Sequence, residues 1–436
     1  MKSEINTSEL DGKRFYYSFL AGAQKIFDHY KGINRINVFP VADGDTGTNL
    51  ASTMRSILDT SIPTDNIKVT AVALADAALI GARGNSGIIF AQFLYGFSNE
   101  IPDNKSLTIT DFAEVIKKAV QYAYEAIANP VEGTMISVMR EWAEYVYTIK
   151  DKFKNFNELI ADSYKIATKS LEDTPKKLEI LAKSNVVDAG AKGFVLFLEG
   201  MIDFFKHGEL KKLVMARNVV KVKEFEEIVH DETELTYRYC TEALIAFNNE
   251  DPANKSRLKE VIRDYGDSMV IAGSPKRLRF HIHTDEPARL FSDIKDIGNI
   301  SFKKVDDMVM QNEIVHHRKH NIALVTDSTC DLPREIIEKH QIQVVPLTVH
   351  FKNDFYLDTL TITPDEFYQL LQAADYNPTT SQPTYKDFTN RYSYLLSHYD
   401  KIIGLHISEN MSGTTSNSRK AAHAIQERYE KQISVH

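Results

Sequence analysis

The sequence predicts a multidomain protein in three parts: an all-α segment, then an α+β segment of ferredoxin-like order, then a partial α/β segment built on a parallel sheet. Three observations predict it. Apolar residues recur at three- and four-residue spacing up to about Leu213, a β-α-β-β-α-β order follows, and after His320 short apolar strands alternate with helices. A chain of 436 residues has room for two to four domains at roughly 150 residues each.

In the first part, apolar periodicity predicts helices over Lys13–Tyr30, Ile67–Ile80, Asp111–Ala128, Thr134–Lys150, Phe156–Leu171 and Val187–His207. Little strand alternation separates them, so an all-α domain over residues 1–213 is expected. A charged stretch, Lys221–Glu234, leads into the second part, expected over residues 235–311. There Leu235–Phe247, Ser268–Ala272, Arg277–His283 and Ile300–Asp306 read as strands, and Ala253–Tyr265 and Pro287–Ile297 as helices, the split βαβ order. Gln311–Lys319 reads as a polar linker. The third part, over residues 320–436, begins with a strand at Asn321–Val325 and a helix at Pro333–His340. A strand at Ile342–His350, helices near Pro364–Ala373 and Tyr385–His398, a strand at Lys401–His406 and a last helix follow. Only about four β/α units fit, which is thin for a complete doubly wound domain.

Composition narrows the function. With 52 Lys+Arg against 60 Asp+Glu the formal charge is −8, which argues against a general nucleic-acid surface. Two cysteines cannot build a disulfide framework, so a reducing compartment is expected. The start MKSEINTSELDGK is too polar for a signal peptide, and no apolar run is long enough to span a bilayer. A soluble cytoplasmic protein is the expectation.

The densest chemistry lies in Asn37–Asn49, NVFPVADGDTGTN. Asp43 and Asp45 bracket Gly44, so a tight turn would aim two carboxylates at one point, as Mg²⁺ with phosphate oxygens requires. Gly44 and Gly47 allow close backbone approach, while Thr46, Thr48 and Asn49 can cap the next helix or bond phosphate. An ordinary capped turn reads the same way. Three further turns, GARGNSG at Gly81–Gly87, GTM at Gly133–Met135 and VVDAG at Val186–Gly190, sit where helices begin and expose N–H groups and a positive dipole to an anion.

These four motifs, in this order within a helical segment, resemble the nucleotide-binding domain of bacterial fatty acid kinase, itself similar to the ATP-binding L subunit of dihydroxyacetone kinases. The resemblance spans about residues 10–310. It implies a helical barrel holding ATP and Mg²⁺ at its rim, with Asp43 and Asp45 as metal carboxylates. The dihydroxyacetone kinase pattern has a third, earlier Asp where this chain has Asn37, a neutral oxygen, so both one and two metal ions stay open. By the same resemblance Thr46, Gly47, Thr48 and Asn49 lie beside the metals and phosphates, Ser86 and Gly87 contact phosphate, and Thr134, Met135 and Asp188 line the nucleotide pocket. Arg83 is a candidate for stabilising the transferring group, beside a plain surface or capping role.

In the second part His281 and His283 alternate on a strand and so share a face, and a ferredoxin-like order places the strand of Cys240 next to theirs. A buried cysteine and a histidine pair explain this pattern, and so does Zn²⁺ on one thiolate and two imidazoles. The string YCTE, GDSMVIAG, FHIHTDEP resembles the fatty acid kinase middle domain, which implies a metal site at these three residues. In the third part ALVTDSTCDLP, PTTSQPT and Ser412–Gly413–Thr414 resemble the DegV family, fatty-acid-binding partners of that kinase. The resemblance implies that Thr380, Ser381 and Ser412 hold a carboxylate head. It also reads as a kinase–carrier fusion cut short, and hence as a chain deficient in acyl phosphate formation unless a separate DegV-type carrier is supplied. The expected partners are a fatty acid, a DegV-type protein or domain and a second copy of the chain. A glycerone-type kinase acting on a small hydroxylated acceptor, and a nucleotide- and lipid-binding regulator without turnover, are the competing readings.

Overall fold

The computed structural model describes residues 8–42, 44–207, 235–352 and 354–436; Asp43 and the charged stretch Lys221–Glu234 lie outside the described residues. The described residues gather into two compact units. One holds the helical segment with residues 247–255 and 268–281, and the other holds the rest of the middle segment with the C-terminal segment.

The helical segment comprises α1 (Gly12–Arg35), α2 (Thr46–Thr60), α3 (Ile67–Gly81), α4 (Gly84–Glu100), α5 (Ile109–Ala126), α6 (Met135–Ile149), α7 (Phe156–Glu172), the short α8 (Thr174–Lys177) and α9 (Glu179–Lys183), and α10 (Ala189–His207). Polar caps set several starts. Asp11 accepts from the Arg14 N–H, Asn66 from Val69 and Asn155 from Glu158, while Thr108 and Asp111 form a reciprocal capping box. The first and last long helices approach backbone to backbone: a methyl group at Gly22 would stand 2.5 Å from the Phe197 ring, and one at Gly200 would stand 2.2 Å from the Ala21 carbonyl oxygen. Phe19 meets Phe197 and Phe90 edge-on at centroid distances of 5.0 and 6.2 Å. Burying each such ring contributes about 1.5–3 kcal/mol. One correction applies to the all-α expectation. β1 (Glu9–Asp11) and β2 (Ser106–Thr108) pair as an antiparallel ribbon, too short to leave any alternation in the sequence.

The middle segment runs β3 (Tyr239–Ala246), a helix at Ala253–Ile262, β4 (Gly266–Ser274), β5 (Arg277–Thr284), a helix at Pro287–Ile294 and β6 (Asn299–Asp307). The sheet order is β4-β5-β3-β6, the ferredoxin-like arrangement, with the first and third strands adjacent. Antiparallel β3 and β6 place Cys240 opposite Asp306. The expected linker Gln311–Lys319 is instead largely helix, Met308–His316, because the Asp307 side chain accepts from the Met310 N–H and starts it.

In the C-terminal segment a parallel sheet has the order β13-β12-β7-β8, with β7 (Ile322–Asp327), β8 (Gln343–Val345), β12 (Lys401–Leu405) and β13 (Gln432–Val435). Helices at Arg334–Lys339, Tyr385–His398 and Thr414–Tyr429 link these strands, with Val325, Phe388, Leu395, Ile402 and Ile425 in the core. The expected single strand Ile342–His350 divides in two. Pro346, without an N–H, stands between β8 and β9 (Thr348–Phe351), and β9 joins β10 (Asp354–Leu357) and β11 (Thr379–Ser381) in a separate antiparallel sheet. No helix among the described residues is long and apolar enough to cross a membrane.

Candidate functional site

Gly44 adopts φ +65°, a turn that leads into α2 with Asp45 at its N-cap. The Asp45 side chain makes no capping bond to that helix, so its carboxylate is not spent on starting α2. Asn34 organises the loop. Its Oδ1 accepts from the Thr48 N–H at 3.1 Å and its Nδ2 donates to Thr48 Oγ1 at 2.9 Å. Asn37 is buried; its Nδ2 donates to the Val41 carbonyl at 2.8 Å and its Oδ1 accepts from the Thr46 hydroxyl. Both of its polar atoms therefore hold the loop together.

The other three motifs close on this turn. Gly84 has φ +58°, a conformation that favours glycine, and a methyl group there would stand 2.5 Å from Asn49 Nδ2, so the first and second motifs touch. At Gly87 the same addition would stand 2.5 Å from Thr53 Oγ1, which itself accepts from the Arg83 N–H at 3.3 Å. At Gly190 it would stand 2.9 Å from Ser86 Oγ, 3.2 Å from Met135 Cβ and 3.4 Å from Asp188 Oδ1. The second, third and fourth motifs thus meet around one glycine. Thr134 is the N-cap of α6, and its hydroxyl donates to the Val131 carbonyl at 2.8 Å. Arg83 is the half-buried N-cap of α4.

Asp188 joins two of these turns. Its carboxylate accepts from the Ala191 N–H at 2.8 Å and also from the Met135 N–H, and its own N–H donates to Thr174 Oγ1 at 3.1 Å. Burial pushes its carboxyl up to about 6 despite those two donors. A carboxyl raised on folding takes up protons relative to the unfolded chain, so stability from this group falls as pH rises from about 4 through about 6. We expect Asp188→Asn to remove that loss, on the order of 2 kcal/mol, flattening the pH 4–7 dependence of the unfolding midpoint in urea. An unchanged pH profile would contradict this account of Asp188.

In the middle sheet one ligand atom from each of Cys240, His281 and His283 lies within 4.8 Å of the others. Asp267 Oδ1 sits 3.3 Å from His283 Nδ1, which directs the opposite ring nitrogen elsewhere. Both histidines are buried and Cys240 is half-buried, with no disulfide.

In the C-terminal segment β7 and β12 are neighbours at which the strand order reverses, β7 being followed by β8 on one flank and β12 by β13 on the other, the switch point where open α/β sheets take ligands. Thr380 and Ser381 lie exposed on β11, with Ser381 Oγ 3.0 Å from His350 Nε2. Ser412 Oγ is 2.8 Å from Thr414 Oγ1 and accepts from the Thr414 N–H at 3.2 Å. Asn417 Nδ2 donates to the Pro383 carbonyl at 2.9 Å, and a methyl group at Gly413 would stand 2.6 Å from Gln382 Oε1. The two hydroxyl-bearing loops are therefore adjacent. The same segment holds a buried hydrogen-bonded chain that sequence reading missed. Asp327 Oδ2 stands 3.2 Å from His406 Nδ1, Ser418 Oγ stands 2.8 Å from His406 Nε2, and the Tyr392 hydroxyl bonds Ser418.

Family models match all three segments: the DAK2 domain over residues 40–203, the fatty acid kinase A-subunit-like middle domain over 236–315, and the DegV family over 321–436. The chain joins a DAK2 domain, a fatty acid kinase-like middle domain and a DegV-family segment. It is similar to an uncharacterized protein of Staphylococcus saprophyticus, 31% identical over 332 residues, 74% of this chain and 60% of that one. A Staphylococcus epidermidis protein, also uncharacterized, is 30% identical over 322 residues, 72% of this chain and 58% of that one. The chain thus spans about 60% of the length of these curated relatives. Among solved structures it is similar to a DegV family protein from Thermus thermophilus described by its fatty acid binding, at 37% identity, 27% of this chain, 40% of that chain and a TM-score of 0.25. DegV from Bacillus subtilis, described as a fatty acid binding protein, follows at 35% identity, 27% and 39% coverage, and a TM-score of 0.25.

Proposed function

We propose that this DAK2–middle–DegV chain is an ATP-dependent phosphotransferase of the fatty acid kinase type, with a helical nucleotide domain (1–213), a middle domain (235–311) and a DegV-like segment (320–436) that receives a fatty acid. The observation that carries the reading is the meeting of four separate turns at one place, Asn49 against Gly84 and Ser86, Met135 and Asp188 around Gly190. A structural cap explains one such turn, but a shared ligand accounts for all four being glycine-bearing and mutually in contact. The donor set suits magnesium: Asp45, with Asp43 two residues before it, supplies hard oxygen ligands beside hydroxyls and amides that suit phosphate. Bound Mg²⁺ would neutralise charge on the β- and γ-phosphates.

The chain's own residues then orient the reaction. Thr46, Gly47, Thr48 and Asn49 line the metal–phosphate turn, Ser86 and Gly87 face the phosphates from the start of α4, and Thr134, Met135 and Asp188 shape the pocket wall. Arg83, within the second turn, would meet developing charge. The acceptor carboxylate is ionised near neutral pH, with a pKa of about 4–5, so its oxygen attacks the γ-phosphorus without a general base. The bond to the β–γ bridging oxygen breaks, ADP leaves and an acyl phosphate forms. Thr380, Ser381 and Ser412 hold the carboxylate head. Ser412→Ala should weaken oleate binding about tenfold in a fluorescence titration, the loss expected of one hydrogen bond to a charged group; unchanged affinity would remove Ser412 from the head site.

The middle-domain donors, one sulfur and two ring nitrogens, match zinc, with Asp267 as the carboxylate orienting a ligating histidine. Bound zinc would tie the strands of Cys240 and the two histidines together. Metal analysis of the purified chain should find about one zinc per chain, lost in Cys240→Ser. Metal-free protein with wild-type stability would count against the site. The deciding experiment for the whole reading is phosphate transfer from ATP with and without oleate. Oleate-dependent acyl phosphate supports it, while turnover of dihydroxyacetone instead would redirect it to the glycerone type.

A further inference from the structure

The contacts of the β4–β5 hairpin with the helical segment fall within a few residues, in sequence, of nucleotide-site turns. Arg279, on β5, is 1% exposed, and its Nη1 donates to the Ile80 carbonyl at 2.8 Å. Ile80 is in the last turn of α3, where carbonyls lack intrahelical partners and the helix dipole presents negative charge. The GARGNSG turn begins at the next residue. On the other side of that turn, Gln92 of α4 is 2% exposed and its Oε1 accepts from the Gly273 N–H at 2.6 Å. Gly273 lies at the end of β4, and a methyl group there would stand 3.0 Å from Leu79 Cδ2. The hairpin therefore grips both helices that flank the second motif. Further along β4, Val270 pairs with Ile127, and the Ala128 N–H donates to the Met269 carbonyl at 3.1 Å. That segment ends five residues before Gly133–Thr134–Met135.

A charged side chain buried this completely is costly unless its bonds are specific, and a smaller apolar residue would fill a strand position at less cost. An arginine here makes sense if it fixes where α3 ends. We propose that Arg279 and Gln92 are positioning residues for the nucleotide site, and that the β4–β5 hairpin sets the spacing of the second and third nucleotide turns. Neither side chain touches the nucleotide. Each acts through the helix that enters or leaves the turn that does, Arg279 on the end of α3 and Gln92 from α4. The inference rests on the nucleotide reading above and adds the middle-domain hairpin to that site as a working part. Strand β5 also carries His281 two residues beyond Arg279, so anything that shifts this strand is felt at the phosphate turn.

The test is ATP·Mg²⁺ affinity of the full chain, measured by competition against a fluorescent ATP analogue, for wild type, Arg279→Lys, Gln92→Met, Ser86→Ala and each double variant with Ser86→Ala. Arg279→Lys keeps the charge but loses the planar fork, and Gln92→Met keeps the volume but loses the acceptor. We expect affinity to fall about tenfold in Arg279→Lys and about threefold in Gln92→Met, at unchanged far-ultraviolet circular dichroism. Coupling separates positioning from general weakening. With Ser86 already truncated, the Arg279→Lys loss should shrink to about twofold or less, because the contact it positions is gone. Wild-type affinity in both single variants, or full additivity with Ser86→Ala, overturns the proposal. Wild-type protein that binds no ATP instead overturns the nucleotide reading itself.

Discussion

Asp45→Ala is expected to cut ATP turnover about a thousandfold while leaving the unfolding free energy within about 0.5 kcal/mol of wild type. The separation of the two effects follows from where Asp45 sits. It is half-buried at the N-cap of α2, and its side chain makes no capping bond to the helix it precedes. Removing it therefore forfeits no side-chain cap, which contributes about 1 kcal/mol where one exists. The proposed magnesium site draws on Asp43 as well as Asp45, so losing one carboxylate leaves an incomplete ligand set. Asn37, where the resemblance implies a third acidic residue, has its oxygen engaged by Thr46 and its nitrogen by Val41. Steady-state phosphate release, read beside a urea melt, checks both halves. Wild-type turnover in the variant would sink the metal assignment; a collapsed melt would make Asp45 structural.

Asp327→Ala should have the opposite signature, with a loss of about 3 kcal/mol or more in the stability of the C-terminal segment and no direct effect on nucleotide binding. The Asp327 side chain is 1% exposed and that of His406 is fully covered. Its carboxylate accepts from the Thr329 N–H at 3.1 Å, from the Thr329 hydroxyl and from the Ile407 N–H at 3.0 Å, and it faces His406. It thereby joins the ends of two adjacent parallel strands, β7 and β12. Burial alone would raise this carboxyl, but the hydrogen bonds from His406, Thr329 and Ile407 together outweigh it and hold the group down at about 2. A carboxyl lowered on folding contributes its stability above the unfolded value near 4, and that stability is lost as pH falls from about 4 towards about 2. Acid unfolding should show a step in that window in wild type that is absent from Asp327→Ala. Equal acid profiles would show that Asp327 adds nothing.

Much of the fold is legible in the sequence where periodicity is long. Most helices of ten residues or more betray themselves by spacing, whereas α2 and α4 are announced only by the turns before them, and the βαββαβ order follows from strands of eight or nine residues. What hides is short. β1, β2, β8 and β11 have three residues each, fewer than two periods of alternation, so their pairing is decided by tertiary contact alone. The site divides along a similar line. Glycines with neighbouring hydroxyls and carboxylates mark the four turns, because few other residues do that work. Asn34, Gln92, Arg279 and His406 leave no such mark. An arginine on a strand reads as a solvated charge until the structure shows it buried against a helix end, and an asparagine in the last turn of a helix reads as neutral until the following loop folds back on it.

The bridge between Ile127 and Val270 has a consequence for how this protein tolerates being cut apart. β4 is the outer strand of the middle sheet, and an outer strand carries a row of unspent N–H and C=O groups. Chain from the helical segment shields part of that row at Met269 and Val270. Freed from that cover, the middle sheet would offer an open template flanked by the apolar run Met269–Val270–Ile271, and neighbouring copies would add to it strand by strand. Expressed alone, this sheet should self-associate with rising concentration, and a lysine at the outward-facing edge should keep it monomeric.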